Sequence, residues 1–368
     1  MGKVLSTSSI ANSNDNIGFT TSFPVEIVFA AGCRPIDLNN IFIQTYPSIL
    51  VRKAELASFP RNICAWIKGM YAVINEKSNR GNSTSQKTQI NSKLIKSYDS
   101  TVNIEMPTLQ TIIGIVQGDC SNTHSLMDIL KDEGKNIISF SYPFDRDRDF
   151  LNTEITKLEA YFNISRSETQ KMKQKLDQIR KKLILLDEMT WKTNQITSYE
   201  NHKWLVSSSD FNSDYEEFSS DLDIFLEKAK IRKPFQKRIR LGYVGVPPIL
   251  DDLYSFIEDC GARVVFNEVQ RQFSMFYLAE DIVEQYRRFT YPYSIFERIE
   301  DIKKAIIDRE LKGLLCYTQS FCHRQLDVIT LKKHLDLPIL QIEGDQPNKL
   351  DARTKLRIES FIEMISEI

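Results

Sequence analysis

Gly313-Leu-Leu-Cys-Tyr-Thr-Gln319 is a short uncharged run, closed by Ser320-Phe-Cys322 and followed from Arg324 to Leu335 by apolar residues at helical spacing. A run this short and apolar reads as a strand buried on both faces, and the helical stretch after it as the crossover that a parallel neighbour requires. Working outward, Ile239 to Val246, Arg263 to Phe266 and Leu337 to Ile342 read as further strands. Helical patterns fill the intervals at Ile249 to Cys260, Phe276 to Phe289 and Phe296 to Arg309, with a terminal helix from about Asp351. This alternation predicts a doubly wound parallel sheet, whose ligands lie at the carboxyl ends of strands beside helix N-termini.

A second block of the same kind precedes it. Pro24 to Gly32 reads as a short helix closed by Gly32, Arg34 to Leu38 as a strand, and Thr111 to Gln117 and Asn136 to Ser141 as buried parallel strands flanking a helix over Ser125 to Glu133. Lys77 to Gln89 contains no apolar residue and predicts a surface loop or insertion. From Leu151 to Lys233 the chain is rich in Lys and Glu, with Leu176, Ile179, Leu183 and Leu186 at helical spacing, which predicts a solvated helical linker packed on one face. The expected architecture is α/β: two doubly wound parallel-sheet domains, residues 1–150 and 237–368, joined by a helical region over 151–236. A weak repeat links the blocks, since strands ending Gln117-Gly-Asp-Cys120 and Gln319-Ser-Phe-Cys322 each lead into a helix.

The 368 residues carry 42% hydrophobic and 26% charged side chains, enough for more than one core. Forty-eight Lys plus Arg against 49 Asp plus Glu leave a net charge of -1, so no global field attracts nucleic acid or an anionic membrane. No apolar run is long enough to span a bilayer and the first residues are polar, which predicts a cytoplasmic protein. Met1-Gly2-Lys3-Val4-Leu5-Ser6 fits a myristoylation template, but no polybasic patch accompanies it.

Six cysteines remain to be sorted. Cys120 and Cys322 lie where a strand hands over to a helix, which puts each sulfur at the ligand-binding edge near the positive end of a helix dipole and lowers its pKa. Cys64 is similar: it precedes the helical run Ala65 to Ile74, with Asn62 a candidate N-cap and Arg61 a nearby cation. Cys33 and Cys260 follow helices and precede strands, at the opposite edge, and read as structural. Cys316, inside a strand, reads as a buried hydrophobe. Three thiolates from two domains meeting in one cleft suggest an iron-sulfur cluster with one iron lacking a protein ligand, whereas scattered cysteines alone leave plain core thiols open. The chain has no Cys-x-x-Cys, no His-Glu-x-x-His, no Gly-x-Ser-x-Gly and no phosphate-binding Gly-x-x-x-x-Gly-Lys-Ser/Thr, and Gly242-Tyr-Val-Gly245 lacks the dinucleotide spacing.

Several longer stretches then combine. Phe23-Pro-Val-Glu-Ile-Val-Phe-Ala-Ala-Gly32, Phe59-Pro-Arg-Asn-Ile-Cys-Ala-Trp-Ile-Lys-Gly69, Gln117-Gly-Asp-Cys-Ser-Asn122, Gly261-Ala-Arg-Val-Val-Phe-Asn-Glu-Val-Gln-Arg-Gln-Phe273, Gln319-Ser-Phe-Cys-His-Arg324 and Gln341-Ile-Glu-Gly-Asp345 resemble the 2-hydroxyacyl-CoA dehydratase D-component family, which includes benzoyl-CoA reductase subunits and double-cubane cluster proteins. The likeness covers most of the chain outside 77–97 and the helical middle. It implies a 4Fe-4S cluster held by Cys64, Cys120 and Cys322 in a cleft between two α/β domains. It also implies an acyl-CoA substrate, a separate ATP-hydrolysing iron-sulfur activator protein that delivers a low-potential electron, and a homodimer or a heterodimer with a related subunit. In such dehydratases the thioester carbonyl becomes a ketyl radical anion that expels the 2-hydroxyl group and acidifies the 3-proton.

Where many relatives carry a further Cys, this chain has Phe19-Thr20-Thr21-Ser22-Phe23. The double-cubane members suggest an alternative, an 8Fe-9S reductase of small molecules also driven by an activator. It would need about six thiolates and so would also use Cys33, Cys260 and Cys316. A non-enzymatic α/β module with buried thiols is a third reading. Among neighbouring residues, His323 and His124 read as acids near the cleft or exposed helix-start side chains. Asp119 reads as a turn acceptor in preference to a catalytic group. Arg271 is a clamp for phosphate or carboxylate, or a loop brace, and Glu343 and Asp345 either face the cleft or cap a turn.

Overall fold

The computed structural model describes residues 12, 14–76, 106–236 and 238–367. The myristoylation template and the 77–97 insertion lie outside the described residues. The first block runs β1 (Asn16–Phe19), α1 (Val25–Ala30), β2 (Arg34–Asp37), α2 (Leu38–Gln44), α3 (Pro47–Leu56), α4 (Ala65–Asn75), β3 (Thr111–Gln117), α5 (Asn122–Asp132) and β4 (Asn136–Ser141). Four helices follow, α6 (Arg148–Phe162), α7 (Arg166–Trp191), α8 (Ser198–Ser207) and α9 (Tyr215–Lys230). The second block comprises β5 (Ile239–Gly245), α10 (Leu253–Asp259), β6 (Ala262–Asn267), α11 (Glu268–Phe273), α12 (Ile282–Arg288), α13 (Ile295–Asp308), β7 (Gly313–Gln319), α14 (Asp327–His334), β8 (Ile339–Gly344) and α15 (Ala352–Ser366).

Both sheets are parallel throughout, ordered β2-β1-β3-β4 and β6-β5-β7-β8. The orders match strand for strand, so the predicted α/β class and the repeat both appear as topology, and β3 corresponds to β7. In this order the direction of winding reverses between β1 and β3 and between β5 and β7, where open sheets leave a crevice at their carboxyl edge. Helices cover both faces of each sheet, which explains why β7 is buried along its whole length.

The structure adds two elements to the sequence reading and corrects two expectations. The central strand β1 begins where the polar first residues end and has no counterpart in the sequence reading; it is only four residues long and carries Gly18, whose missing side chain admits the Ile112 methyl. The helix expected over Phe276 to Phe289 begins at Ile282, where Asp281 accepts from the Glu284 amide at 2.9 Å and caps it. Helix α11, directly after β6, was not foreseen. The helical middle does pack on one face, but that face holds more than leucines. Arg180 pairs with Glu26 of α1 at 2.7 Å, and Asp187 with Arg309 of the second block at 2.5 Å, all four buried. Helix α7 is therefore a brace between the blocks rather than a solvated linker.

The cores interlock as well. Ile282, Val283 and Tyr286 of α12, with Phe289, Tyr291 and Tyr293 after it, belong to the core formed on one face of the first sheet. Tyr286 donates to Glu26 at 2.8 Å from within that core. Among the described residues no helix is long and apolar enough to cross a membrane.

Candidate functional site

The carboxyl edges of the two sheets face each other across one cavity, with some 940 Å³ of empty space counting its open mouth. That is within the range of small-molecule sites. Loops after β1 (Thr20, Thr21), β2 (Asp37, Asn39), β3 (Asp119, Cys120), β5 (Val246 to Pro248) and β7 (Gln319, Cys322) form its wall, and Cys64 enters from the start of α4.

Each of the three cysteines sits at a chain reversal. Gly118 takes φ +94°, and a side chain there would run into Pro292 and Tyr142, so the turn that presents Cys120 needs glycine. Cys64 is the residue that caps α4, in place of Asn62, and Cys322 precedes a 3-10 turn over His323–Leu326. The N–H groups of Trp66 and Ile67 favour the thiolate of Cys64, the N–H and side-chain amide of Asn122 that of Cys120, and the N–H of Arg324 that of Cys322. Each sulfur thus stands beside backbone N–H groups of the turn that follows it, which favour its charged form.

The expected fall in thiol pKa is reversed. Burial pushes Cys64 up to about 12 despite its N–H donors, with Cys322 and Cys120 adding to the rise. Burial likewise raises Cys120 and Cys322, Asp119 adds to the rise of both, and Cys322 adds to that of Cys120. These are neutral thiols until a cation displaces their protons. Arg61 is exposed and does not act on them. The cation that does is Arg324, buried against the Tyr291 ring at 4.1 Å and donating to its carbonyl at 2.9 Å; it favours the thiolate of Cys322. Asp119 is raised to about 6 by burial, against which the same guanidinium and the Cys120 N–H favour its carboxylate.

The other three cysteines lie away from the cavity. Cys33 and Cys260 occupy the equivalent α1–β2 and α10–β6 turns at the amino edges, and Cys316 is buried in the core beneath β7. Among the described residues no three His, Cys, Asp or Glu side chains come close enough to hold a single metal ion. An iron-sulfur cluster asks for a different arrangement, one thiolate per iron spread around a wall. Three thiols on separate elements around one cavity suit that demand.

The remaining expectations divide. His323 and His124 are exposed. Arg271 ties α11 to α13, bonding Asp301 at 2.6 and 3.2 Å, and is neither a free clamp nor a loop brace. Glu343 accepts from Ser320 at 2.7 Å and, like Asp345, does not line the cavity. Sequence reading missed Arg324, although it ends a quoted motif. It also missed His202, which reaches the cavity from α8, and Trp66, a cavity-lining indole whose N–H is buried without a partner. The place of Trp66 two residues after Cys64, in the first turn of α4, was the available signal; for His202 there was none.

A family model described as 2-hydroxyglutaryl-CoA dehydratase, D-component, matches residues 20–365. No curated protein is similar enough in sequence to match.

Proposed function

Because the chain belongs to the 2-hydroxyglutaryl-CoA dehydratase D-component family, we propose that it holds one 4Fe-4S cluster through Cys64, Cys120 and Cys322 and eliminates water from a 2-hydroxyacyl-CoA. The observation that carries this reading is the sorting of the thiols: of six, these three line the cavity and the other three do not. The bound cluster would supply a low-potential electron, by which the thioester passes through a ketyl radical, and an iron with an open position toward an acyl oxygen.

The protein's own contribution follows from its geometry. The N–H donors at the three helix starts stabilise the thiolates once their protons leave, and Arg324 offsets part of the negative charge. The walls supplied by Ile43, Ile67, Met70, Val206 and Phe273 exclude water from a charge-bearing acyl group. As the family resemblance implies, the electron would come from a separate ATP-hydrolysing activator, with which the absence of a phosphate-binding loop motif agrees, and a second subunit, identical or related, would complete the assembly in the cytoplasm.

Iron and acid-labile sulfide per chain after anaerobic purification test the reading: about four of each are expected, about eight would favour the double cubane, and none a cluster-free module. Turnover of a panel of 2-hydroxyacyl-CoA compounds with an activator present should yield a 2-enoyl-CoA; no product from any of them would favour the small-molecule reductase.

A further inference from the structure

His202 lies at the end of a chain of hydrogen bonds whose direction is fixed at its far end. Asp187 accepts both Arg309 nitrogens, at 3.0 and 2.5 Å; burial opposes its ionisation, but Arg309 holds its pKa below the ordinary value, so it is a carboxylate that only accepts. Asn201 must therefore turn its NH2 toward Asp187, at 3.2 Å, which leaves its oxygen for the Asn267 NH2 at 2.8 Å. The Asn267 oxygen in turn receives the Tyr254 hydroxyl at 2.8 Å. Having given its one hydrogen, Tyr254 can only accept, and the Gln270 NH2 supplies it at 3.2 Å. Gln270 reversed would set oxygen against oxygen.

The second hydrogen of that NH2 meets His202 Nδ1 at 3.1 Å. Nδ1 is thus the acceptor and the imidazole proton sits on Nε2, which has no partner among the described residues. The ring is clamped against Tyr254, with centroids 5.0 Å apart, and lines the cavity. Resting on the reading of that cavity as an acyl-CoA site, we propose that His202 is a neutral N–H donor of fixed tautomer that binds an oxygen on the acyl end of the thioester, and is neither a base nor a metal ligand. Burial supports the neutral form by pushing the imidazole down to about 3. A neutral donor suits an uncharged carbonyl or hydroxyl and becomes stronger as negative charge grows on that oxygen.

The test is calorimetric binding of a 2-hydroxyacyl-CoA and of free coenzyme A to the anaerobic protein, without activator so that nothing turns over. His202→Phe should weaken the thioester about tenfold, the loss of one hydrogen bond, and leave free coenzyme A unchanged. His202→Gln, which keeps an N–H near the Nε2 position, should restore most of the affinity and shows that the site still folds. Equal thioester affinity in wild type and His202→Phe, or equal weakening of free coenzyme A, would overturn the inference. So would a nitrogen-15 histidine spectrum placing the His202 proton on Nδ1. Wild-type protein that binds no acyl-CoA would instead remove the proposed function, and with it the ligand assigned to His202, while the tautomer is still decided by the spectrum.

Discussion

The two corners that present Cys120 and Cys322 occupy the same place in two sheets of identical strand order, yet they are built differently. The first obtains its positive φ from Gly118, two residues before the cysteine; the second obtains it from Phe321, directly before Cys322, at φ +65° with the aromatic ring about half exposed. Helix α5 starts at once after the first corner, whereas a 3-10 turn intervenes after the second before α14 begins. Topology therefore sets where the sulfur goes, and the local chain reaches that point by whichever turn its residues allow. The third thiol has no counterpart at all: Cys64 comes from the α2–α4 excursion after β2, and β6 is followed by α11 without a cysteine.

If the corners are equivalent in use as well as in place, Cys120→Ala and Cys322→Ala should each abolish activity and lose most of the bound iron, measured per chain under anaerobic conditions. Full iron retained in one of them would break the equivalence. The turns themselves should respond in opposite senses. Gly118→Ala forces a β-carbon against Pro292 and Tyr142 at an unfavourable φ and should cost about 3 kcal/mol in denaturant unfolding. Phe321→Gly relieves a strained, half-exposed residue and should be neutral or stabilising by up to about 1 kcal/mol in the same measurement. A large loss there would mean that the Phe321 ring holds the corner.

The smallest effect concerns pH. In cluster-free protein Cys64 stays protonated up to about 12, while the unfolded thiol ionises near 9.0, so the unfolded state releases its proton first. Stability should be fully present below that ordinary value and fall as pH rises from it toward 12. Melting temperatures of wild type and Cys64→Ser across this window should diverge; parallel curves would place the sulfur in water.

Much of this arrangement was legible in the sequence because short β-branched runs bounded by Gly, Asn and Asp announce buried strands. β3, β4 and β7 begin and end where the pattern says, and a cysteine immediately after such a strand has to stand at the ligand edge. β1 was illegible because four residues with a central glycine carry no periodicity. The thiol pKa direction was illegible because helix-start donors are local and visible, whereas desolvation depends on how deeply two sheets close over a site. His202 was hidden for a related reason: its role depends on partners at positions 187, 201, 254, 267 and 270, assembled from α7, α8, α10, β6 and α11.

Tyr286 and its neighbours on and after α12 have a bearing on biogenesis. A nascent chain that has cleared the ribosome to residue 236 possesses every strand of its first sheet, yet lacks the aromatic residues up to Tyr293 that close that core and the hydroxyl that Glu26 binds. The leading half waits for the trailing half, so maturation is a single late event.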